Sequence, residues 1–274
     1  MNPIPFYKMS GAGNDFIIID NRNQVVADKD LNDFIVSVCR RKMSAGADGM
    51  ILIEVSDKFD FRWRFFNSDG SKAEMCGNGA RCAARFAHVT GIAGTSLSFE
   101  TEAGVVSAQI NADRVKVKMP APSDLKLDYA LKLSDHSLEI SSINTGVPHA
   151  VVMVEQVADM DVVGLGREIR FHQTFEQAGS NANFVQYIDG NTIEIRTYER
   201  GVEDETLACG TGAIASAIIS ASRFKMESPI DVKTRSGEYL TIHFNAKDGQ
   251  FNDVYMEGNA RIIYTGELQP DAWQ

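Results

Sequence analysis

The chain has 274 residues, 44% hydrophobic and 23% charged, with seven prolines; this excludes fibrous and disordered classes and allows two units with cores of their own. A formal charge of −10 without any Lys/Arg cluster leaves no basic field for a phosphate backbone, so nucleic acid is not an expected partner. No run reaches the roughly 18 apolar residues of a bilayer span and the N-terminus lacks a signal-peptide pattern, so a cytoplasmic protein with no membrane partner is expected.

In chain order, a strand is predicted over residues 16–20. A helix follows over 31–40, where Leu31, Phe34, Ile35, Val38 and Cys39 share one face behind a cap at Asp28 or Asp30. Cys39 therefore reads as core. Strands are predicted over 50–55 and 59–65, the second from strict apolar/charged alternation. An alanine-rich helix over 80–89 leads to strands over 105–110 and 114–119, and Pro120-Ala121-Pro122-Ser123 marks a boundary. Beyond it come strands over 141–144, 150–154, 183–187 and 192–198, an apolar helix over 213–224, and strands over 239–244, 251–257 and 260–264. The expected halves are 1–120 and 121–261, with about 262–274 free to return to the first.

The two halves carry the same signature. Cys76-Gly77-Asn78-Gly79-Ala80 and Cys209-Gly210-Thr211-Gly212-Ala213 lie 133 positions apart, and the same offset carries Asn14 to Val147, Asp48 to Asn181 and Asn67 to Arg200. Such phase argues for duplication, and two copies about a pseudo-twofold axis can offer one side chain from opposite directions. Both turns lead into helices whose faces are small or apolar all round, which is the pattern of a buried helix. The expected class is α+β: two pseudo-symmetric halves, each a mostly antiparallel sheet or barrel wrapped around a central buried helix.

That placement sets the chemistry of Cys76 and Cys209. A helix N-terminus favours negative charge and can bring a thiol from about 8.5 into the range of roughly 3.5–7.5, where a thiolate serves as a base. The glycines let backbone N–H groups approach a carboxylate or a developing enolate. One Gly-rich turn before a helix is ordinary punctuation; two in register, each with cysteine, are not. Cys82 lies inside the first helix, its counterpart is Ala215, and it reads as packing. The four cysteines are too scattered for a disulfide scaffold and form no Cys-x-x-Cys pair, so no metal site is expected.

Several segments, taken together, resemble the diaminopimelate epimerase family over nearly the whole chain. They are residues 6–16 (Phe-Tyr-Lys-Met-Ser-Gly-Ala-Gly-Asn-Asp-Phe), Gly46-Ala47-Asp48-Gly49, Phe66-Asn67-Ser68-Asp69-Gly70-Ser71 running into Met75–Cys82, Gly179–Phe184, and Tyr198-Glu199-Arg200-Gly201 through Glu205–Gly212. The resemblance implies a cofactor-free epimerase interconverting LL- and meso-diaminopimelate on the lysine pathway, with Cys76 and Cys209 as a two-base pair of one thiolate and one thiol. It implies that Asn14, Asn67, Asn181, Glu199 and Arg200 bind the substrate's amino and carboxylate groups, and that backbone at Gly77, Asn78, Gly210 and Thr211 takes the reacting carboxylate. His149 and Glu199 would aid thiol deprotonation. The implied partner is a small molecule, and a homodimer is compatible with it. Two positions depart from many relatives, Val147 where asparagine is common and Gly49 where some carry glutamine; they bear on specificity rather than on proton transfer.

Outside the resemblance these residues read more plainly. Arg200 could fork onto a carboxylate or pair with Glu199 or Glu203, with neither favoured. Asn14 and Asn67 suit turns, and His149 a satisfied core histidine. Gly11-Ala12-Gly13 lacks the third glycine and the helix of a dinucleotide site. A thiol hydrolase pairing Cys76 with His149 leaves the second cysteine turn idle. A proline or hydroxyproline racemase and a non-catalytic amino-acid-binding module are the remaining alternatives.

Overall fold

Apolar runs that alternate with polar residues every second position, broken by two helices of small residues, set up a chain of strands wrapped on helices. The structure, a computed structural model, describes residues 2–176 and 178–274. It divides into two compact units, one running to Val117 and taking in Gly258–Gln274, the other Lys118–Glu257.

The first unit contains β1 (Ile4–Gly11), β2 (Asn14–Asp20), α1 (Leu31–Cys39), β3 (Gly49–Glu54), β4 (Phe61–Asn67), α2 (Gly77–Val89), β5 (Ser96–Thr101), β6 (Gly104–Asn111) and β7 (Arg114–Lys118). β1 pairs antiparallel with β2, β2 parallel with β3, β3 antiparallel with β4 and β4 parallel with β5, and β5, β6 and β7 follow as an antiparallel meander. β2, β3 and β4 have apolar residues on both faces because each face meets a helix. Ile17, Ile19, Met50, Leu52 and Phe66 join Ile35 and Val38 of α1 in one core. The opposite face turns toward α2, whose Ala80, Cys82, Ala83, Ala84 and Ala87 are fully buried. A Cβ on Gly79 would already touch Ile51 and Phe16, which is why small residues stand where this helix meets the strands.

The second unit repeats this order. It contains β8 (Ser123–Lys132), β9 (Ser137–Asn144), β10 (Pro148–Met153), α3 (Val162–Arg170), β11 (Asn181–Asp189), β12 (Thr192–Glu199), β13 (Asp204–Thr206), α4 (Gly210–Phe224), β14 (Ile230–Lys233), β15 (Tyr239–Lys247) and β16 (Gln250–Asn259). β9–β10 are antiparallel, β10–β11 parallel, β11–β12 antiparallel, β12–β14 parallel, and β14–β15–β16 antiparallel, sense for sense the pairing of the first unit. The last strand, β17 (Arg261–Leu268), pairs antiparallel with β1, as β8 does with β9. Outward residues Ala150, Val152, Ala182, Phe184 and Tyr198 pack with Val162 and Ile169 of α3. On the inward side Ile214, Ile218 and Ile219 of α4 are buried, each contributing roughly 1.5–3 kcal/mol of apolar burial.

The α+β class with two repeated halves stands, and the structure adjusts its detail. The strand expected over 59–65 begins at Phe61, because the Asp60 carboxylate accepts from the Ser98 amide at 2.8 Å and turns the chain there. Asp30 occupies the cap position of α1 in a left-handed conformation without a side-chain cap bond, and Asp28 pairs with Arg64 at 2.6 Å instead. Helix α3 escapes sequence reading because two glycines and two valines dilute its propensity; its cap is Asp161, which accepts from Gly164 N at 2.9 Å. Strand β8 is exposed along most of its length and shows no period. Counted by strand register, the repeat keeps 133 from β2 to β10, where Phe16 matches His149, but runs at 132 through β3/β11 and β4/β12: Gly49 faces Asn67, and Asn181 falls opposite Glu199 by extension of the Ala182–Tyr198 pair. Asn67 therefore corresponds to Glu199, not to Arg200, and one residue is the difference between the two faces of a strand. Among the described residues, no helix is long and apolar enough to cross a membrane.

Gly166 shows how tightly α3 lies on β12, since a Cβ there would sit 2.4 Å from Cβ of Tyr198. Gly166→Ala should therefore destabilise the protein by about 1–3 kcal/mol despite the better helix propensity of alanine, read as a lower urea midpoint at unchanged m-value.

Candidate active site

Each cysteine stands where a buried helix starts. Cys76 caps α2 with φ −145° and ψ 118°, and Cys209 caps α4 with φ −114° and ψ 113°; both are extended residues whose carbonyls accept the first helical bond, from Ala80 N at 2.8 Å and Ala213 N at 2.9 Å. Neither side chain caps its helix. The N–H groups of the first turn thus lack intrahelical acceptors and point out of the helix beside the sulfur. Gly77, Asn78, Gly210 and Thr211 all lie in these first turns.

The surroundings of the two sulfurs differ. Cys76 is half-buried, and its thiol donates to Oδ1 of Asn14 at 3.5 Å. Asn14 is oriented by Asp48, which accepts from its Nδ2 at 2.7 Å; a carboxylate can only accept, so the amide oxygen must face the sulfur. Asp48 and Asp15 are held together by Arg41, at 2.9 Å and 2.5 Å, and Lys8 reaches Asp15 at 2.7 Å. Burial pushes the Asp15 carboxyl up, but the bonds from Lys8 and Arg41 outweigh it and hold it below the ordinary carboxylate range. Asn67, exposed at the end of β4, donates from Nδ2 to Ser71 Oγ at 3.0 Å. Inside the helix, the fully buried Arg81 reaches back to Asn78 Oδ1 at 2.9 Å and to the Gly77 carbonyl at 3.4 Å, setting a guanidinium under the first turn.

Cys209 is buried, 3.6 Å from Oγ1 of Thr211, and its thiol is hydrogen-bonded to the carboxyl of Glu199. Burial pushes Glu199 above the ordinary carboxylate range, opposed by the neighbouring Thr206 hydroxyl and Cys209 thiol. Asn181 is buried and accepts from the Arg200 amide at 2.7 Å through Oδ1. The Arg200 guanidinium donates to the Ala178 carbonyl at 3.2 Å, and among the described residues it makes no ion pair; Glu203 pairs with Arg170 at 3.1 Å instead. The surface-pair reading of Arg200 is thereby set aside. Thr145 bonds the Thr211 carbonyl at 2.9 Å and ties the loop before β10 to the first turn of α4.

His149 departs from a satisfied core histidine. It is fully buried, Nδ1 lies 3.1 Å from Nδ2 of Asn183, and Nε2 has no hydrogen-bond partner among the described residues. Burial, with the charge of Arg200 nearby, depresses its pKa to about 3, so the imidazole is neutral across the working pH range. Sequence reading missed Asn183, Thr197, Asp48 and Arg81 as parts of this site. The signal for Asn183 was present: in Asn181-Ala182-Asn183 the polar residues recur at a spacing of two on a strand whose other face is apolar. Nothing in the sequence marks Arg81 as buried.

Comparison with known proteins places this arrangement first in a fold class and then in a family. Solved structures of similar fold include a phenazine biosynthesis protein of the PhzF family from Bacillus anthracis, TM-score 0.75 at 15% identity, covering 98% of this chain and 100% of that one. Another is a probable proline racemase from Agrobacterium radiobacter, TM-score 0.71 at 14% identity, covering 98% and 95%. The family model for diaminopimelate epimerase matches residues 6–124 and 141–263. Similar relatives are the diaminopimelate epimerases of Aquifex aeolicus, 46% identical over 97% of this chain and 98% of theirs, and of Archaeoglobus fulgidus, 40% identical over 97% and 96%. The chain belongs to the diaminopimelate epimerase family and is an isomerase, an epimerase.

The depressed pKa of His149 has a sign in stability. Unfolded, the imidazole takes its proton near the ordinary value of about 6.5; folded, it resists protonation until about 3. Its neutral burial is therefore fully tolerated above the unfolded value, and stability falls as pH drops through the interval between the two. His149→Phe should lose less stability than the natural chain on acidification through that window, measured by urea unfolding at stepped pH.

Proposed function

We propose that the chain interconverts LL- and meso-2,6-diaminopimelate, a step toward lysine, without a cofactor. One cysteine thiolate removes the α-proton and the other cysteine's thiol delivers one to the opposite face of the same carbon. The observation that carries this reading is the pair of matched turns: Cys76 and Cys209 each cap a buried small-residue helix in a unit of the same strand order.

An amino-acid α-proton is weakly acidic, and its loss drives charge onto the neighbouring carboxylate. First-turn N–H groups at Gly77, Asn78, Gly210 and Thr211 suit that oxygen, because charge-directed donors of this kind stabilise a developing anion without reorganising. Two like groups must also start in opposite protonation states, which their unlike surroundings favour. Cys76, donating its hydrogen to Asn14, enters as the acid; Cys209, bonded to a carboxyl whose pKa burial raises, can pass its proton to Glu199 and enter as the base. Reversal of the reaction exchanges the roles. Asn14, Asn67, Asn181, Glu199 and Arg200 hold the amino and carboxylate groups, Arg200 through a guanidinium that makes no ion pair among the described residues, and His149 supports the Cys209 turn.

A proline racemase reading shares the fold, but at 14% identity that likeness extends to fold alone. In deuterated water the reduced protein should incorporate deuterium at Cα of diaminopimelate and not of proline or hydroxyproline; exchange only into proline would transfer the assignment to the rival. Cys76→Ala and Cys209→Ala should each lower turnover by about 10²–10⁴-fold or more, the usual weight of a positioned acid or base. Near-normal epimerisation by either variant would rule out the two-base scheme.

A further inference from the structure

The repeat supplies an internal control on the polar residues around Cys209. By register, the inward positions of β2, β3 and β4 in the first unit correspond to those of β10, β11 and β12 in the second: Phe16 to His149, Ile51 to Asn183 and Phe65 to Thr197. The local packing agrees, since a Cβ on Gly79 would meet Ile51 at 3.3 Å and one on Gly212 would meet Oδ1 of Asn183 at 2.4 Å and the Cys209 sulfur at 3.3 Å. Apolar side chains therefore satisfy the fold at all three positions, and the first unit uses them. The second unit buries three polar groups instead, at a cost that folding does not require.

Their hydrogen bonds have one consistent direction. Asn183 Nδ2 lies 3.0 Å from the backbone carbonyl of Ala150, and a carbonyl can only accept, so the amide's NH₂ must be on that side. The Thr197 hydroxyl then donates to the amide oxygen at 3.0 Å. The same NH₂ faces Nδ1 of His149 at 3.1 Å, so Nδ1 must accept and the ring proton must sit on Nε2. Nε2 is buried and has no hydrogen-bond partner among the described residues.

We propose that Asn183, steadied by Thr197, is a positioning residue that fixes His149 as the neutral Nε2–H tautomer, making it a hydrogen-bond donor to an anion at the Cys209 turn rather than a base. This rests on the epimerase reading above and sharpens it: deprotonation of the Cys209 thiol falls to Glu199 alone, while His149 stabilises the negative charge that results or that arrives with the substrate carboxylate. The lone pair that a base would need is already occupied by Asn183. The neutral ring adds no charge that would compete with Arg200 for the substrate.

Two measurements test this. In the full-length protein labelled with ¹⁵N-histidine, two-bond ¹⁵N–¹H correlation spectra from about pH 6 to about pH 9 should show His149, identified by its loss in His149→Phe, protonated at Nε2 and bare at Nδ1 throughout. Asn183→Leu, which places an apolar residue where the first unit has Ile51, should release the ring into a mixture of tautomers. This readout needs no substrate, so it can fail while the epimerase reading stands. Protonation at Nδ1 in the natural protein would overturn the proposal. The second measurement is kinetic. Glutamine can place an N–H near Nε2 but cannot act as a base, so His149→Gln should keep kcat/KM within about tenfold of the natural enzyme, whereas His149→Phe should lose about a hundredfold, the weight of one charge-directed donor. The pH profile of His149→Gln should keep its shape. Equal losses in the two variants would mean that the imidazole takes a proton, and would refute the donor role.

Discussion

Both units depend on one constraint: a helix must pass along the inside of a sheet and end, at its N-terminus, next to a sulfur. Close approach of helix and strand removes large side chains from the helix face that meets the sheet, which is why Gly79, Ala80, Ala83, Ala84 and Ala87 are buried on α2 and why α4 is mostly alanine, serine and isoleucine. The helix body behind the first turn is buried and that turn partly so, and its unpaired N–H groups are therefore screened less by water than at a surface helix, with a stronger pull on an anion. The glycines at 79 and 212 serve the same end, because the strand side chains opposite them stand at or within van der Waals distance of where a Cβ would sit. Packing and electrostatics are thus one feature: the small residues that let the helix in also bring the dipole to the thiol.

On this shared frame the units diverge. Around Cys76 the inward strand positions are aromatic and aliphatic, and the sulfur's hydrogen is taken by an asparagine whose orientation is dictated by an aspartate. Around Cys209 the same positions are histidine, asparagine and threonine, and the sulfur meets a carboxyl whose pKa is raised by burial. A duplicated scaffold would by itself yield two equal thiols, and an epimerase of the proposed kind needs two unequal ones. The difference is supplied by a handful of substitutions on three strands, leaving the helices and their cysteines alike.

The comparisons carry different weights. Structures at 14–15% identity share the architecture with proteins of several chemistries, as expected when function resides in side chains grafted on a common fold. Relatives at 40–46% identity over essentially the full chain share more than architecture, and they fix the family.

From the sequence by itself came the duplication, the two cysteine turns, most strands to within a few residues and the two buried helices, because each is written in a local signal: a repeated pentapeptide, an alternation of two, a run of small residues. The sequence could not show α3, whose glycines oppose its own helix and are explained only by the nearness of Tyr198, nor β8, whose exposed length lacks a period. Nor could it show the direction of the hydrogen bonds. Asn14 and Asn183 look like turn and strand residues until Asp48 and the Ala150 carbonyl, 34 and 33 positions away, force each amide to present one end and not the other. Which atom donates and which accepts depends on neighbours brought in from other strands, and that choice separates one buried thiol from the other.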